Sequence, residues 1–116
     1  MSIQSSTLTD DLHLVTVTGR LDQDQAPLLE IELTQLIQDG YYRLIVDLSE
    51  VNYINSAGLR CLVGAWRKAR EHEGDLCLSG LNARLMEIFS MVGFDKVFQI
   101  CSTVAAAQDV LSGTQA

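Results

Sequence analysis

The sequence is poor in cysteine: Cys61, Cys77 and Cys101 are the only three, an odd number with no close pair. A disulfide framework is therefore not expected, and the lack of a Cys-x-x-Cys removes the usual zinc and dithiol motifs. Small buried hydrophobes are the expected role for all three. Long apolar runs are missing too, since none approaches the roughly 18 residues that span a bilayer. The opening stretch Met1-Ser2-Ile3-Gln4-Ser5-Ser6 has neither the basic segment nor the apolar stretch of a secretory signal. A cytoplasmic location is the expectation. Positive charge is scarce in the first half. Residues 1–50 hold nine acids against Arg20 and Arg43, residues 51–116 hold six of each sign, and the formal net charge is −7. Phosphate backbones and anionic lipids repel such a chain, so neither nucleic acid nor membrane is an expected partner. A basic protein surface is compatible with it.

What is present is enough for one core. With 116 residues and 47% hydrophobic content, the chain reads as a single domain over 1–116, its tail 112–116 frayed. Ile3 to Leu8 and Leu12 to Thr18 carry strand patterns, with Thr9-Asp10-Asp11 as the turn of a hairpin. Leu29, Leu33, Leu36 and Ile37 recur at helical spacing, with Asp24 to cap the start, Pro27 in the first turn and Gly40 at the end. Leu44 to Leu48 is a short apolar run, as for a strand buried on both faces, and a loop is expected after it. Leu59, Leu62, Val63 and Trp66 mark a second helix ending near Gly74. Leu76 to Gly80 is a further strand. Asn82 caps a third helix through Leu85, Ile88, Phe89 and Val92 before Gly93. Val97 to Ile100 is a last short strand, and Ser102 or Thr103 caps a final helix through Ala107, Val110 and Leu111. The order ββαβαβαβα has no repeat and no linker. It implies an α/β fold with a mostly parallel sheet and right-handed crossovers, whose sites lie at the C-terminal ends of strands.

That rule points to the residues after Leu48. In Leu44 to Leu62, Ser56-Ala57-Gly58 opens the second helix, and Asn55 or Ser56 stands near its N-cap. Ser is a favoured N-cap, so spacing alone makes Ser56 a structural residue first. A helix N-terminus also favours negative charge, so a phosphate on Ser56 is tolerable there and changes partner affinity more than stability. A hydrolase nucleophile is a poor fit. The five residues Ile54-Asn55-Ser56-Ala57-Gly58 lack the first glycine of Gly-x-Ser-x-Gly, and the histidines, His13 and His72, have no triad context. Neither a metal-ligand cluster nor a phosphate-binding glycine loop is present, so no catalytic residue, metal or cofactor is expected. Asp22 and Asp47 are expected to make loop hydrogen bonds, not to act as a carboxylate pair.

The same segment resembles the signature of the STAS family of anti-sigma-factor antagonists, in which Asp-Leu-Ser is followed several residues later by Asp-Ser-Ser/Thr-Gly-Leu-Gly. Asp47-Leu48-Ser49 and Ser56, Gly58 and Leu59 match it in spacing. Gly19-Arg20-Leu21-Asp22 resembles the family's Gly-x-Leu-Asp, and Phe89 to Phe94 its apolar helix ending in Gly-Leu/Phe. The likeness covers roughly residues 10–110. It implies the STAS (SpoIIAA-like) fold, a mixed, mostly parallel sheet of four to five strands with helices mainly on one face. It also implies a partner-switching role and no enzyme activity. The unmodified chain binds an anti-sigma factor that is often itself a serine protein kinase; phosphorylation of Ser56 weakens the complex, and a PP2C-type phosphatase resets it. Asp22, Ser49, Asn55, Ser56, Ala57, Gly58 and Arg60 are the residues implied to meet the partner. Three positions depart from the family pattern. Asn55 stands where Asp is usual, Ala57 leaves Ser56 as the sole hydroxyl of its pair, and Arg60 replaces a common Gly. The rival role within the same family is an unphosphorylated subunit of a signalling or lipid-transport assembly. The cations Arg60, Arg67, Lys68 and Arg70 on the second helix are either a docking surface or a solvated face.

Overall fold

A computed structural model describes residues 2–9 and 11–113; the expected turn residue Asp10 and the tail residues 114–116 lie outside it. Strands β1 (Ser2–Thr7) and β2 (Leu12–Leu21) form the expected antiparallel hairpin, with Ser2 opposite Thr18 and Thr7 opposite His13. From β2 onward every neighbour is parallel: β3 (Arg43–Ile54), β4 (Asp75–Ser79) and β5 (Gln99–Cys101) follow in sequence order across a five-stranded sheet. Three successive right-handed crossovers in one direction must lay their helices on one face. Accordingly α1 (Ala26–Gln38), α2 (Ser56–Glu71) and α3 (Ala83–Met91) pack Leu29, Leu33, Leu62, Leu85 and Phe89 against Val15, Val17, Val46 and Leu78. After β5 no crossover remains to be made. Helix α4 (Val104–Gly113) covers the opposite face, setting Ala107 and Leu111 against Leu12, Ile45 and Cys77.

The alternation of side chains along β3 makes this two-sided burial visible: Leu44, Val46 and Leu48 face α1–α3, while Ile45 between them faces α4. The strand is longer than its apolar run. The loop expected after Leu48 is extended chain, paired with β2 as far as Leu21 opposite Ile54, because β2 supplies ladder partners where β4 has already ended. Register shifts near Gly19, whose φ is 99°, accommodate this long pairing. The last strand also differs from expectation. A 3-10 turn at Phe94–Lys96 takes the chain past Val97, Phe98 enters the core, and β5 begins at Gln99. Phe98 meets Phe89, Phe94 and Trp66 edge-on, with centroids 6.1–6.2 Å apart, which is the geometry favoured by aromatic quadrupoles.

Helix ends follow local chemistry. Asn82 Oδ1 accepts from Leu85 N–H at 2.9 Å and Thr103 Oγ1 from Ala106 N–H at 3.1 Å, as expected. α1 has no side-chain cap: its N-cap position is Gln25, not the expected Asp24, and Asp22 Oδ1 accepts from the backbone N–H groups of Asp24 and Gln25 in the turn before the helix. Gly40 closes α1 in a Schellman motif: its N–H reaches Ile37 C=O and the N–H of Tyr41 reaches Leu36 C=O. Arg43, at the start of β3, binds Asp11 Oδ2 through Nε at 2.8 Å and Leu111 C=O through Nη1 at 2.6 Å, tying the hairpin turn to the end of α4.

One polar ring sits inside this frame. His13 is buried beside Tyr41, and its Nδ1 lies 3.3 Å from Thr7 Oγ1, but its buried Nε2 has no hydrogen-bond partner among the described residues. Burial holds its pKa below the ordinary 6.5, only partly offset by Glu32. The unfolded chain therefore takes up a proton first, and stability present above about pH 6.5 is lost as pH falls toward the depressed folded value. Thermal melts stepped from neutral pH to about pH 5.5 are expected to show that loss. The His13→Gln variant should show a smaller slope over the same window, whatever its absolute stability; equal slopes would contradict the account.

Candidate functional site

The parallel pairing of β2 with β3 brings the ends of both strands and the start of α2 to one place. Here Asn55 joins three elements. Its backbone N–H donates to Leu21 C=O of β2 at 3.3 Å, and its Nδ2 donates to Gln23 Oε1 of the β2–α1 loop at 2.8 Å. Its Oδ1 accepts from the N–H groups of Ala57 at 3.1 Å and Gly58 at 3.4 Å. Asn55 is thus the N-cap of α2, in extended conformation, and two of the helix's orphan donors are satisfied by it. The capping role first considered for Ser56 belongs to its neighbour. An aspartate at position 55 would keep the cap but offer no donor to Gln23.

Gly58 explains why α2 sits so close. A Cβ at this buried position would lie 2.7 Å from Leu21 O and 2.8 Å from Ile54 Cγ1, so only hydrogen fits between the helix and the strand ends. Ser56, in contrast, is exposed at the first helical position, with no side-chain hydrogen bond shown for it among the described residues. Ala57 is half-buried against the core. Arg60, one turn further, is exposed and has no carboxylate within ion-pair distance among the described residues. Arg20 flanks the same end. Its guanidinium lies 4.0 Å from the Tyr53 ring centroid, and its Nε is 3.6 Å from Asp22 Oδ2.

Not every anticipated residue joins this group. Asp22 does, but its side chain is only 15% exposed and spends Oδ1 on the loop backbone, so it shapes the surface more than it offers a free carboxylate. Ser49 stands apart, five residues of extended strand before Ile54, or about 16 Å. It is exposed beside the β4–α3 junction, where a Cβ on Gly80 would lie 2.7 Å from Ser49 Cβ. The hydrogen bonds of Asp47, expected in a loop, lie instead in the strands: it accepts from Ser49 N–H of β3 at 3.1 Å and Ser79 Oγ of β4 at 3.4 Å. Reasoning from sequence did not single out Gln23, which clamps the cap, or Gly64.

Gly64 belongs to a groove of about 410 Å³ between α1 and α2, bounded by Pro27, Glu30 and Thr34 on one wall and Arg60, Gly64 and Lys68 on the other. Lys68 Nζ reaches Thr34 Oγ1 at 3.1 Å and bridges the walls. Nothing lies within 4 Å of a Cβ built on Gly64, so the fold makes no steric demand for glycine there. Its signal in the sequence was a glycine in mid-helix, which costs about 1 kcal/mol relative to alanine. Cys61, on the same side of α2, is no nucleophile. Burial, aided by Glu30 and opposed by Lys68, pushes its thiol up to about 12. Burial pushes Cys77 to about 12 as well. Among the described residues no group of three or more His, Cys, Asp or Glu is placed to hold a metal, and no helix is long and apolar enough to cross a membrane.

The central strand β3 thus feeds directly into a tightly seated helix whose first turn is exposed. The STAS-domain family model matches residues 5–107, and the chain belongs to that family. It is 34% identical over 94 residues to an anti-sigma-B factor antagonist of Listeria monocytogenes, covering 79% of this chain and 80% of that one. It is 31% identical over 101 residues to an anti-sigma-B factor antagonist of Staphylococcus aureus, covering 86% and 94%. The solved structure of the anti-sigma factor antagonist SpoIIAA in its unphosphorylated form superposes with a TM-score of 0.86 at 17% identity, covering 97% of each chain. The fold is therefore STAS-like, as expected, and the relatives' names describe binding regulators, not enzymes.

The two glycines of α2 predict opposite outcomes. Gly58→Ala is expected to lower stability by about 2 kcal/mol or more, as overpacking against backbone does. Gly64→Ala should raise it by about 0.5–1 kcal/mol. Chemical denaturation of both variants checks this, and a neutral Gly58→Ala would contradict the close seating of α2.

Proposed function

We propose that the chain is an anti-sigma factor antagonist whose unphosphorylated form binds an anti-sigma factor that is also a serine protein kinase, and that phosphorylation of Ser56 ends the interaction. The observation that carries this reading is the division of labour between Asn55 and Ser56. Asn55 holds the helix, so the adjacent hydroxyl is exposed and free of structural duty. A covalent change at Ser56 then alters the surface without removing a cap. The relatives' names supply the class of partner, an anti-sigma factor.

In this reading the chain is a substrate and the partner is the catalyst. The Ser56 Oγ–P bond forms as the bond between the γ-phosphorus of ATP and its bridging oxygen breaks; ADP leaves, and the hydroxyl proton passes to the kinase's base. No base is needed here, and His72, the histidine at the far end of α2, is about 24 Å of helix away. The product adds nearly two negative charges at the positive end of a 16-residue helix, where they are tolerated. The partner surface, built to meet a neutral hydroxyl beside Asn55, Ala57 and Gly58, meets charge and bulk instead. Asp22 and Arg60 flank that contact, and Ser49 lies at its far margin. A PP2C-type phosphatase reverses the change. The proposal places this in the cytoplasm, with the span 1–116 acting as one domain.

Incubation with the cognate kinase and ATP should add one phosphate, mapped to Ser56 by mass spectrometry. Ser56→Ala should take up none. Ser56→Asp should lose partner binding while its stability moves by no more than about 0.5 kcal/mol, as for a surface substitution away from structural contacts. Phosphate found elsewhere, or none from any co-encoded kinase, contradicts the switch and favours the unphosphorylated assembly subunit.

A further inference from the structure

The first turn of α2 has little left to offer a phosphate. Of the donors an anion at a helix N-terminus would use, Ala57 N–H and Gly58 N–H are both engaged by Asn55 Oδ1, which leaves the N–H of Ser56 itself. The cap is itself held from behind by Gln23, so releasing those donors would break the tie to the β2–α1 loop. Charge near the site is mixed. The β2–α1 segment brings Asp22 and Asp24 to this end of the sheet, and Glu30 lies on the opposite wall of the groove. Of the cations, Arg20 is committed to the Tyr53 ring and Asp22, and Lys68 is about three turns along α2 from Ser56 and bound to Thr34. Arg60 is the exposed cation of this turn, with no ion pair among the described residues.

Its position is specific. Arg60 is four residues after Ser56, so the two side chains rise from one helix face with Cβ atoms about 5–6 Å apart. Helical side chains lean toward the N-terminus, which carries the guanidinium over the turn that holds Ser56. An anion N-terminal to a cation at this spacing is the favourable order on a helix. Resting on the reading of Ser56 as the phosphoryl acceptor, we infer that the phosphoryl group on Ser56 is held in cis by Arg60, and not by the N–H groups of the helix terminus. The guanidinium's planar fork suits two phosphate oxygens, which a lysine at the same place would meet only as a point charge. Arg60 also lines the α1–α2 groove. Phosphorylation therefore changes two surfaces with one residue: it adds an anion at Ser56 and draws the cation off the groove wall.

The pairing is tested on protein carrying phosphoserine installed at position 56 during translation, which makes the result independent of any kinase. Phosphorus NMR follows the phosphate's second ionisation, ordinarily near 6, in the otherwise unaltered chain, in Arg60→Gln and in Arg60→Lys. Arg60 is exposed, so neither substitution threatens folding. The value should be lower with arginine than with glutamine by about 0.3 pH unit, the size of an exposed helical ion pair. Lysine should fall between them, and the difference should vanish near 1 M salt, where charges are screened within about 3 Å. The Arg60 side-chain N–H resonance should move along the same titration curve. Superimposable curves for arginine and glutamine, or displacement of the Ala57 and Gly58 amide signals without that of Arg60, overturn the inference. Should no kinase modify Ser56 while the pairing is measured here, the switch falls and the pairing stands.

Discussion

The missing side chain at Gly58 sets the geometry of this molecule's functional end. Because α2 can approach Leu21 O and Ile54 to within 2.9 Å of a would-be Cβ, its first turn is pressed onto the ends of β2 and β3. Asn55 then locks the approach with bonds to Leu21, Gln23, Ala57 and Gly58. Everything proposed for Ser56 depends on that seating. A helix start held by its own neighbours leaves the next residue exposed and removes any structural penalty for modifying it. The buried and exposed residues of the turn alternate in function as well as in solvent access: Asn55 and Gly58 build, while Ser56 and Arg60 face outward.

Charge explains why such a surface can act as a switch without unsettling the fold. The 16-residue helix presents its positive end to the modified residue, and its own cations, Lys68 and Arg70, sit in the last turn, where they complement the negative end. Glycine at position 64 costs helix stability with no return inside the chain.

Much of the fold was legible because its signals were redundant. The element order followed from alternating periodicities, and the caps at Asn82 and Thr103 and the turn at Gly40 from residue chemistry. The differences arise where tertiary pairing overrides local pattern. Leu48 ends the apolar run of β3, yet β2 carries the ladder on to Ile54 across polar residues that a pattern reads as loop. Phe98 looks like strand, but it fills the aromatic cluster after a 3-10 turn. Asp22 makes the loop hydrogen bonds expected of it, but Asp24 does not cap α1, which starts two residues later behind Gln25 with no side-chain cap. At the site, the motif gave Ser56, Gly58 and Asn55 their places. It did not reveal which one capped the helix, nor that Gln23 completes the cap, since both depend on side-chain contacts between distant segments. Ser49 shared the motif but not the location, because the intervening residues are extended and not folded back.

The central claim is that the partner reads the first turn of α2 together with the β2–α1 loop. Hydrogen–deuterium exchange of the unphosphorylated chain, alone and with its cognate anti-sigma factor, tests this most directly. The account predicts new protection across residues 22–25 and 56–64, with little change in α4. Protection centred instead on α4 or on the β1 edge, with the α2 N-terminus unchanged, would contradict it.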